Sequence, residues 1–510
     1  MDSSTSTEAP IMHAEVEAPP LDQSILFLTN EEHGQSNVMF AIIYELLTQH
    51  RTKLHVASWD KFLARLDSAQ ILAQEEYLSE NLIPIELHRL PSESMVSKCM
   101  SRTRETQASF RHAPGYRGMS YYRSFAPTML AAYEPTDYMS IYFETKRLVE
   151  EIEPNIIVLD PFLSSSIDFV RMSGRKHVIL SPVSPSAYVV PKLPLLQIFC
   201  KYPTQASGLP FPLPWAKVPE NVWTILNGLY VLLFDRNIKE LDKVRREQGI
   251  TWPLPIFEPL QKGVPLICPS LPTIDYPIPW PSDLEFVGPI VAPYKSPIED
   301  DPDLWNWLQQ GHTVIICLGT HALLAQHAIM ELAKGLRILL DQCPKVQILW
   351  KLKKDKDFDK SATLPLLTEI DSGRVRLTEW IKSDLAAVLQ TGSIICIVHH
   401  GGANSFFEAT WAGIPQIIVA QWHDTYEYAA KVEYLGIGVY GNKTCAPDLY
   451  RREFGEALVL CTGSSKSSKE IQERANALGL VSQKRSGRKL AVAKLREILA
   501  NVATTKPSPG

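Results

Sequence analysis

The chain lacks any Cys-x-x-Cys pair and any His/Cys grouping at metal-ligand spacing; its eight cysteines are scattered over 510 residues. That excludes a zinc-ribbon or a disulfide framework. Cys317 and Cys396 sit inside apolar runs, where cysteine behaves as a small hydrophobe. Reduced thiols and a cytoplasmic location are therefore expected. Excess positive charge is missing too. The formal net charge is −5, so no overall basic field draws nucleic acid. No apolar run reaches bilayer-spanning length; the longest, Trp223 to Phe234, contains Asn227. A core helix is the first reading of that run. A peripheral membrane contact or the wall of a greasy pocket are the others. No signal-peptide pattern is visible, and residues 1–22 read as a polar, Pro-rich, disordered tail. The sequon Asn442-Lys443-Thr444 is then expected to stay unmodified. A repeat of solenoid period is absent as well.

What is present is an ordinary globular composition, 45% hydrophobic and 21% charged, in a chain too long for one core. Short apolar runs alternate with helix-like segments in both halves. In the first half Ile25–Leu28 precedes a helix from about Asn37 to Gln49, and Leu54–Ala57 follows. Ile156–Leu159 then leads to a helix near Ser165–Met172 and to Val178–Leu180. In the second half the runs are Val314–Leu318, Val346–Trp350, Val375–Leu377, Ile394–Val398 and Ile417–Ala420. Continuously apolar strands between helices predict parallel sheets covered on both faces. Two such series predict an α/β fold with two Rossmann-like domains. Residues 181–219 and 251–293 are dense in proline and read as extended loops and a linker. The boundary falls near 290. The expected organisation is a tail over 1–22, a first Rossmann-like domain over 23–285 and a second over 286–465. Helices over 466–510 complete the chain, as a basic surface segment or packed back on the first domain. The aromatic residues of 90–145 are expected in a variable insertion over a pocket.

One stretch carries the chemistry: SIICIVHHGGANSFFEATWAGIPQIIVAQWHD, residues 393–424. A buried strand ends in His-His-Gly-Gly, and a helix follows from near Asn404 to Gly413, with Pro415 beyond. Gly401 and Gly402 let the backbone turn and approach a ligand closely. In open parallel sheets ligands bind at such strand ends, and the helix N-terminus favours an anion such as phosphate. His400 can donate to that anion. A blander reading stays open: Ser405 and Glu408 match a capping box, and the double glycine can be only a tight turn.

The order of these residues resembles the donor-site signature of the UDP-glycosyltransferase superfamily, H-x-G-x-N-S-x-x-E, then G-[VI]-P, then Asp. It stands here as His400, Gly402, Asn404, Ser405, Glu408, Gly413-Ile414-Pro415 and Asp424. The resemblance, to fungal-type natural-product and sterol glucosyltransferases, implies two Rossmann-like domains facing across a cleft, the GT-B fold. It implies that His400, Gly402, Ala403, Asn404 and Ser405 hold the diphosphate and that Glu408 holds the ribose hydroxyls. Gly319 and Thr320 (IICLGTHA) correspond to the family's Gly-Ser or Gly-Thr pair at the diphosphate. Trp380 (RLTEWI) corresponds to its uracil-stacking tryptophan, with Ile381 reaching uracil through its backbone. Asp424 corresponds to the sugar-binding acid. The plant branch follows it with Gln, which helps select glucose, where this chain has Thr425. The plant branch also has Pro-Gln after its tryptophan, where this chain has Ile381-Lys382.

The same resemblance covers the first half. ILFLTNEEHGQSNV puts His33 where the family has its catalytic base, in a loop after a strand, and PNIIVLDPFLSSS puts Asp160 where the family has the partner aspartate. An acceptor hydroxyl attacks an anomeric carbon most readily if a near-neutral base takes its proton. A carboxylate behind the imidazole fixes its tautomer and stabilises the imidazolium. Without the resemblance, a polar loop histidine and a helix-capping aspartate are sufficient readings of both. Asp357-Phe358-Asp359 is an Asp-x-Asp that could hold a metal, but lysines interleave the acids, so a solvated loop is expected. No metal and no cofactor is expected beyond the co-substrate UDP-sugar, with glucose the sugar. The expected enzyme is a monomeric, inverting UDP-sugar transferase acting on a hydrophobic hydroxylated acceptor. Met119, Tyr121, Tyr122, Phe125, Met129 and Tyr133 suggest a flat apolar guest, and serve equally as core. Two rivals stand beside it: a non-catalytic nucleotide-sugar binder, and a UDP-sugar epimerase or hydrolase of the same architecture.

Overall fold

The computed structural model describes residues 23–49, 52–77, 83–103, 111–319, 324–353 and 358–503. The tail expected over 1–22 lies outside them. The first half builds a seven-stranded sheet from β1 (Ser24–Leu28), β2 (Lys53–Ser58), β3 (Glu86–Arg89), β4 (Ile156–Leu159), β5 (His177–Leu180), β6 (Leu266–Cys268) and β7 (Leu284–Phe286). Their spatial order is β3-β2-β1-β4-β5-β6-β7. The second half builds a six-stranded sheet from β8 (His312–Cys317), β9 (Val346–Lys351), β10 (Val375–Thr378), β11 (Ile394–His399), β12 (Gln416–Ile418) and β13 (Gly438–Tyr440). Here the order is β10-β9-β8-β11-β12-β13. Every pairing in both sheets is parallel. Side chains of β1 alternate between two cores: Leu26 and Leu28 face one, Ile25 and Phe27 the other. Helices on both faces bury them, which is why these strands read as unbroken apolar runs.

Several expectations are corrected. Residues 181–219 and 251–293 are not only extended loops. They contain the helices Ser186–Val189 and Leu195–Cys200 and the strands β6 and β7, which lengthen the first sheet. Three-residue strands between prolines are too short to show a periodicity. The apolar run at Trp223 is not a core helix. The helix Val218–Phe234 buries only Asn221, Thr224, Asn227 and Val231. It exposes Trp223, Leu226, Leu229, Tyr230, Leu233 and Phe234. Its polar side chains face inward because they have partners there. Asn221 bonds Thr204 and three carbonyls, and the Arg123 guanidinium donates to Asn227. The helix Gly487–Ala503 is not a plain surface helix either. Ala491, Val492, Leu495 and Leu499 are buried with the side chains of the helix His33–Leu47, and Arg488 Nε donates to Glu45 at 2.8 Å. Asn442 of the sequon is fully buried. Its amide exchanges hydrogen bonds with the backbone of Ala420 at 2.9 Å in both directions, so it braces the chain after β12. No helix among the described residues is long and apolar enough to cross a membrane.

The two halves are joined by buried polar contacts around the helix His423–Leu435. Lys431, wholly buried, reaches Asp275 at 2.8 Å, Ser186 Oγ at 2.9 Å and Glu427 at 3.3 Å. Tyr428 Oη accepts from Ser184 N at 3.0 Å.

Candidate active site

In each sheet the strand order reverses direction at one point, between β1 and β4 and between β8 and β11. Chains leaving such neighbouring strands go to opposite faces and open a crevice at the carboxyl ends, where ligands bind. His33 and Asp160 flank the first switch point; Gly319 and His400 flank the second. The helices that begin at His33 and at Ala403 touch, so the two crevices open toward each other.

At the second switch point the two histidines of the His-His-Gly-Gly turn do different work. His399 is fully buried. Its Nδ1 accepts from Gly401 N at 3.1 Å, and its Nε2 lies 3.0 Å from Gln416 Oε1. An accepting Nδ1 leaves the proton on Nε2, so the ring is neutral, and burial lowers its pKa to about 4. His399 therefore shapes the turn. Sequence reasoning passed over it; the signal was Gln416, seventeen residues on, at the paired strand. His400 points the other way. A Cβ on Gly319 would lie 2.8 Å from its Cε1, and its ring sits 5.3 Å from that of Trp422. Gly319 (φ +89°) and Gly401 (φ +94°) hold a backbone conformation that side chains disfavour. A Cβ on Gly401 would also meet Ile418 Cγ2 at 2.7 Å.

The helix Ala403–Ala412 starts here with Gly402 as its N-cap and no side-chain cap, so the capping-box reading of Ser405 and Glu408 is corrected. The first-turn N–H groups of Ala403, Asn404 and Ser405 have no carbonyl within the helix, an arrangement that attracts an anion. Asn404 Nδ2 donates to Glu408 Oε1 at 2.8 Å. Glu408 is buried, and burial raises its pKa to about 7 against that hydrogen bond.

Beside the turn opens a cleft of about 370 Å³, lined by Leu318, Gly319, Leu324, Lys351, Leu352, Lys353, Glu379 and Trp380. Trp380 exposes 62% of its surface, and Lys351 Nζ lies 4.1 Å from the ring centroid on one face. An exposed indole beside cations suits an aromatic ring carrying phosphates. Ile381 is buried, so only its backbone is offered there. Sequence reasoning passed over Lys351, the last residue of β9, and took Lys353 only as the start of the solvated charged run 353–360. Thr320 lies outside the described residues, as does Asp357. Asp359 accepts from Ser361 N at 2.9 Å as the N-cap of the turn Lys360–Leu366, so its carboxylate serves the backbone.

Asp424 lies half-buried in the first turn of the helix His423–Leu435, and burial raises its pKa to about 7. Thr425 is a correction. It is fully buried, and its Oγ1 accepts from Gln421 N and Trp422 N at 3.1 Å each and donates to Trp422 O. It caps its own helix and has no hydroxyl to offer a sugar. The segment Gln421–Tyr426 is also gripped from the first half. His112 N donates to Gln421 O at 3.0 Å, His423 N donates to His112 Nε2 at 3.0 Å, and Tyr426 Oη donates to His112 O. His112 is buried, and burial lowers its pKa.

At the first switch point His33 is exposed and opens the helix His33–Leu47, rather than standing in a loop. Asp160 is buried just beyond the end of β4. Its Oδ2 accepts from Thr29 Oγ1 (3.2 Å), Asn30 N (3.1 Å) and Asn30 Nδ2 (3.2 Å), and its Oδ1 from Phe162 N (2.9 Å). Burial pushes this carboxyl above its ordinary range, and the hydrogen bonds oppose that shift. The carboxylate thus grips the turn from which His33 emerges. Of the residues expected to face a flat apolar guest, Met119 and Tyr133 are core, Tyr121 and Met129 are half-buried, and the side chains of Tyr122 and Phe125 lie outside the described residues.

Known proteins resemble the chain as follows. Residues 358–474 match the family model for the erythromycin biosynthesis protein CIII-like C-terminal domain. Glycosyltransferase sdnJ of Sordaria araneosa is 37% identical over 491 residues, which cover 91% of this chain and 96% of that protein. A UDP-glycosyltransferase of Talaromyces amestolkiae is 25% identical over 333 residues, 59% of this chain and 58% of that one. In fold, the crystal structure of UDP-glucose: anthocyanidin 3-O-glucosyltransferase in complex with UDP aligns with a TM-score of 0.61 at 16% identity, covering 94% of this chain and 99% of that one.

Proposed function

Because the chain belongs to the UDP-glycosyltransferase superfamily of GT-B architecture, and is a UDP-dependent glycosyltransferase, we propose that it moves glucose, with inversion, to a hydroxyl of a hydrophobic small molecule. The observation that carries this reading is the pair of switch points whose helices meet, one flanked by an exposed histidine and a buried aspartate, the other by an uncapped helix N-terminus.

UDP seats with uracil on the free face of Trp380 and the diphosphate at the first turn of Ala403–Ala412. His400 and the Lys351/Lys353 pair stand beside the phosphates. As the glycosidic bond to UDP breaks, negative charge grows on the leaving phosphate. Preorganised N–H groups and cations stabilise it without reorganising. Glu408 accepts from the ribose hydroxyls and Asp424 from the sugar. On the opposite side His33 takes the acceptor proton as the new bond forms. Asp160 fixes the Thr29–Asn30 turn and supplies the negative field that favours the imidazolium. One displacement from the face opposite UDP turns an α-linked donor into a β-glucoside. The helix N-terminus, His400, Lys351 and Lys353 together make a metal at the diphosphate unnecessary.

Calorimetric titration with UDP tests this. Binding is expected to be unchanged by chelator and to weaken in Trp380→Ala by about 1–3 kcal/mol, the usual loss for a stacked base. Binding only in the presence of added metal would overturn the reading.

Glu408 adds a pH dependence. Its raised pKa means that the carboxyl is mostly protonated below about pH 7 and ionised above it. Only the ionised form accepts from both ribose hydroxyls. UDP affinity is thus expected to rise between about pH 6 and about pH 8, and binding couples to loss of that proton. The same titration in Glu408→Gln should lose the Glu408 part of the rise; an identical profile in the variant would remove Glu408 from the ribose.

A further inference from the structure

Away from both crevices, three side chains on two neighbouring strands converge at the edge of the first sheet. β2 and β3 pair in parallel with His55 opposite Glu86 and Ala57 opposite His88. Alternation then sets His55, Glu86 and His88 on one face. His55 Nδ1 lies 3.3 Å from His88 Nε2 and 3.2 Å from Glu86 Oε2, and the ligand atoms of all three lie within 4.8 Å of one another. Two ligand atoms on one tetrahedral ion, each ~2.0–2.1 Å from it, stand ~3.3 Å apart. Both close separations therefore already match the bite of a zinc-class ion.

Access and surroundings fit as well. The His55 side chain is buried, while that of Glu86 is 62% exposed, so the cluster opens to solvent at the sheet edge. The helix Pro135–Ile152 covers this face and brings Glu144 and Arg147 within electrostatic reach of His88. Arg147 is engaged by Glu144 at 2.6 Å and Glu151 at 2.5 Å. Lys53, two residues before His55 on β2, is the other cation facing the cluster.

We propose that His55, Glu86 and His88 form a site for a divalent transition ion of the zinc class, with water completing four-coordination. Two imidazoles and a carboxylate are a donor set that zinc takes readily. The ion would tie β3, the edge strand, to β2. It stands apart from the crevices, so its effect falls on the stability of the sheet edge and not on sugar transfer. Sequence spacing hid the site: Glu86-x-His88 shows the period of a strand, but His55 lies thirty-one residues earlier.

The test uses the full chain freed of metal by chelator. Zinc is titrated against a chromophoric competitor, and thermal unfolding is followed with and without zinc. One tight equivalent and a rise in Tm are expected, with Co2+ giving the visible absorption of a four-coordinate N/O site. His88→Gln and Glu86→Gln alter exposed or half-buried positions and should fold with the metal-free Tm of the parent. In His88→Gln the equivalent and the Tm rise should be lost; in Glu86→Gln the affinity should fall by about 10-fold or more. The absence of a stoichiometric equivalent in the parent would overturn the proposal, leaving an ordinary hydrogen bond between the two histidines. So would its retention in a His55→Gln/His88→Gln double variant. These readouts are metal binding and unfolding, so they stand whether or not the sugar-transfer reading holds.

Discussion

His33→Ala is expected to slow glycosyl transfer by about 10²–10⁴-fold, the usual worth of a positioned general base, while UDP binds as before. The imidazole is exposed at the helix start and the donor residues lie in the other half, so nothing at the diphosphate moves. Asp160→Asn should behave differently. The carboxylate accepts four hydrogen bonds from Thr29, Asn30 and Phe162. An amide has one oxygen and brings its own donors against those N–H groups. Transfer and thermal stability should fall together in this variant, whereas His33→Ala should lose transfer alone. Single-turnover transfer assays beside melting curves separate the two. Full activity in His33→Ala would remove the histidine from the chemistry.

Lys431→Met should cost stability rather than chemistry, by about 3–5 kcal/mol, because it strands a buried charge. Lys431 and Asp275 are both wholly buried, 2.8 Å apart, and no solvent can take over the pairing. Ser186, Glu427 and the rings of Tyr276 and Tyr428 surround the ammonium. Removing the wholly buried partner as well, in Lys431→Met with Asp275→Leu, should recover part of the loss, since a buried pair is worth far less against an apolar pair than against a lone ion, and Glu427 stays behind at the edge of the cluster. Denaturant unfolding of the two variants checks this. Equal losses would mean that the contact between the halves depends on packing here and not on charge.

The alternation of apolar strands and helices was legible because parallel strands buried on both faces have no polar side to confuse the count. β1, β4, β8, β9 and β11 are of this kind. The turn at residues 399–402 was legible because its glycines and the helix start lie within a few residues of each other. What escaped has a common physical cause. β6 and β7 are three residues long and flanked by proline. The helix Val218–Phe234 turns its asparagines inward, against the rule that apolar means buried, because their amides are fully used. His399, Lys351 and His112 gain their meaning from residues on other strands or in the other half. Thr425 stands where the plant branch has its sugar-selecting Gln, yet its hydroxyl is consumed by two backbone N–H groups.

The grip of His112 on residues 421–426 bears on how this enzyme can be recombined. Three hydrogen bonds from one residue of the first half fix the loop that carries Asp424. A chimera cut near residue 290, joining this second half to a relative's first half, would cut that loop off from its own clamp. The transplanted half would bring its glycine turn intact and the loop over residues 421–426 unbraced. Exchanges that also carry Arg111–Pro114, as a short graft into the foreign half, keep clamp and loop as one inherited piece. The shape of the loop that carries Asp424 then travels with two separated segments of the chain.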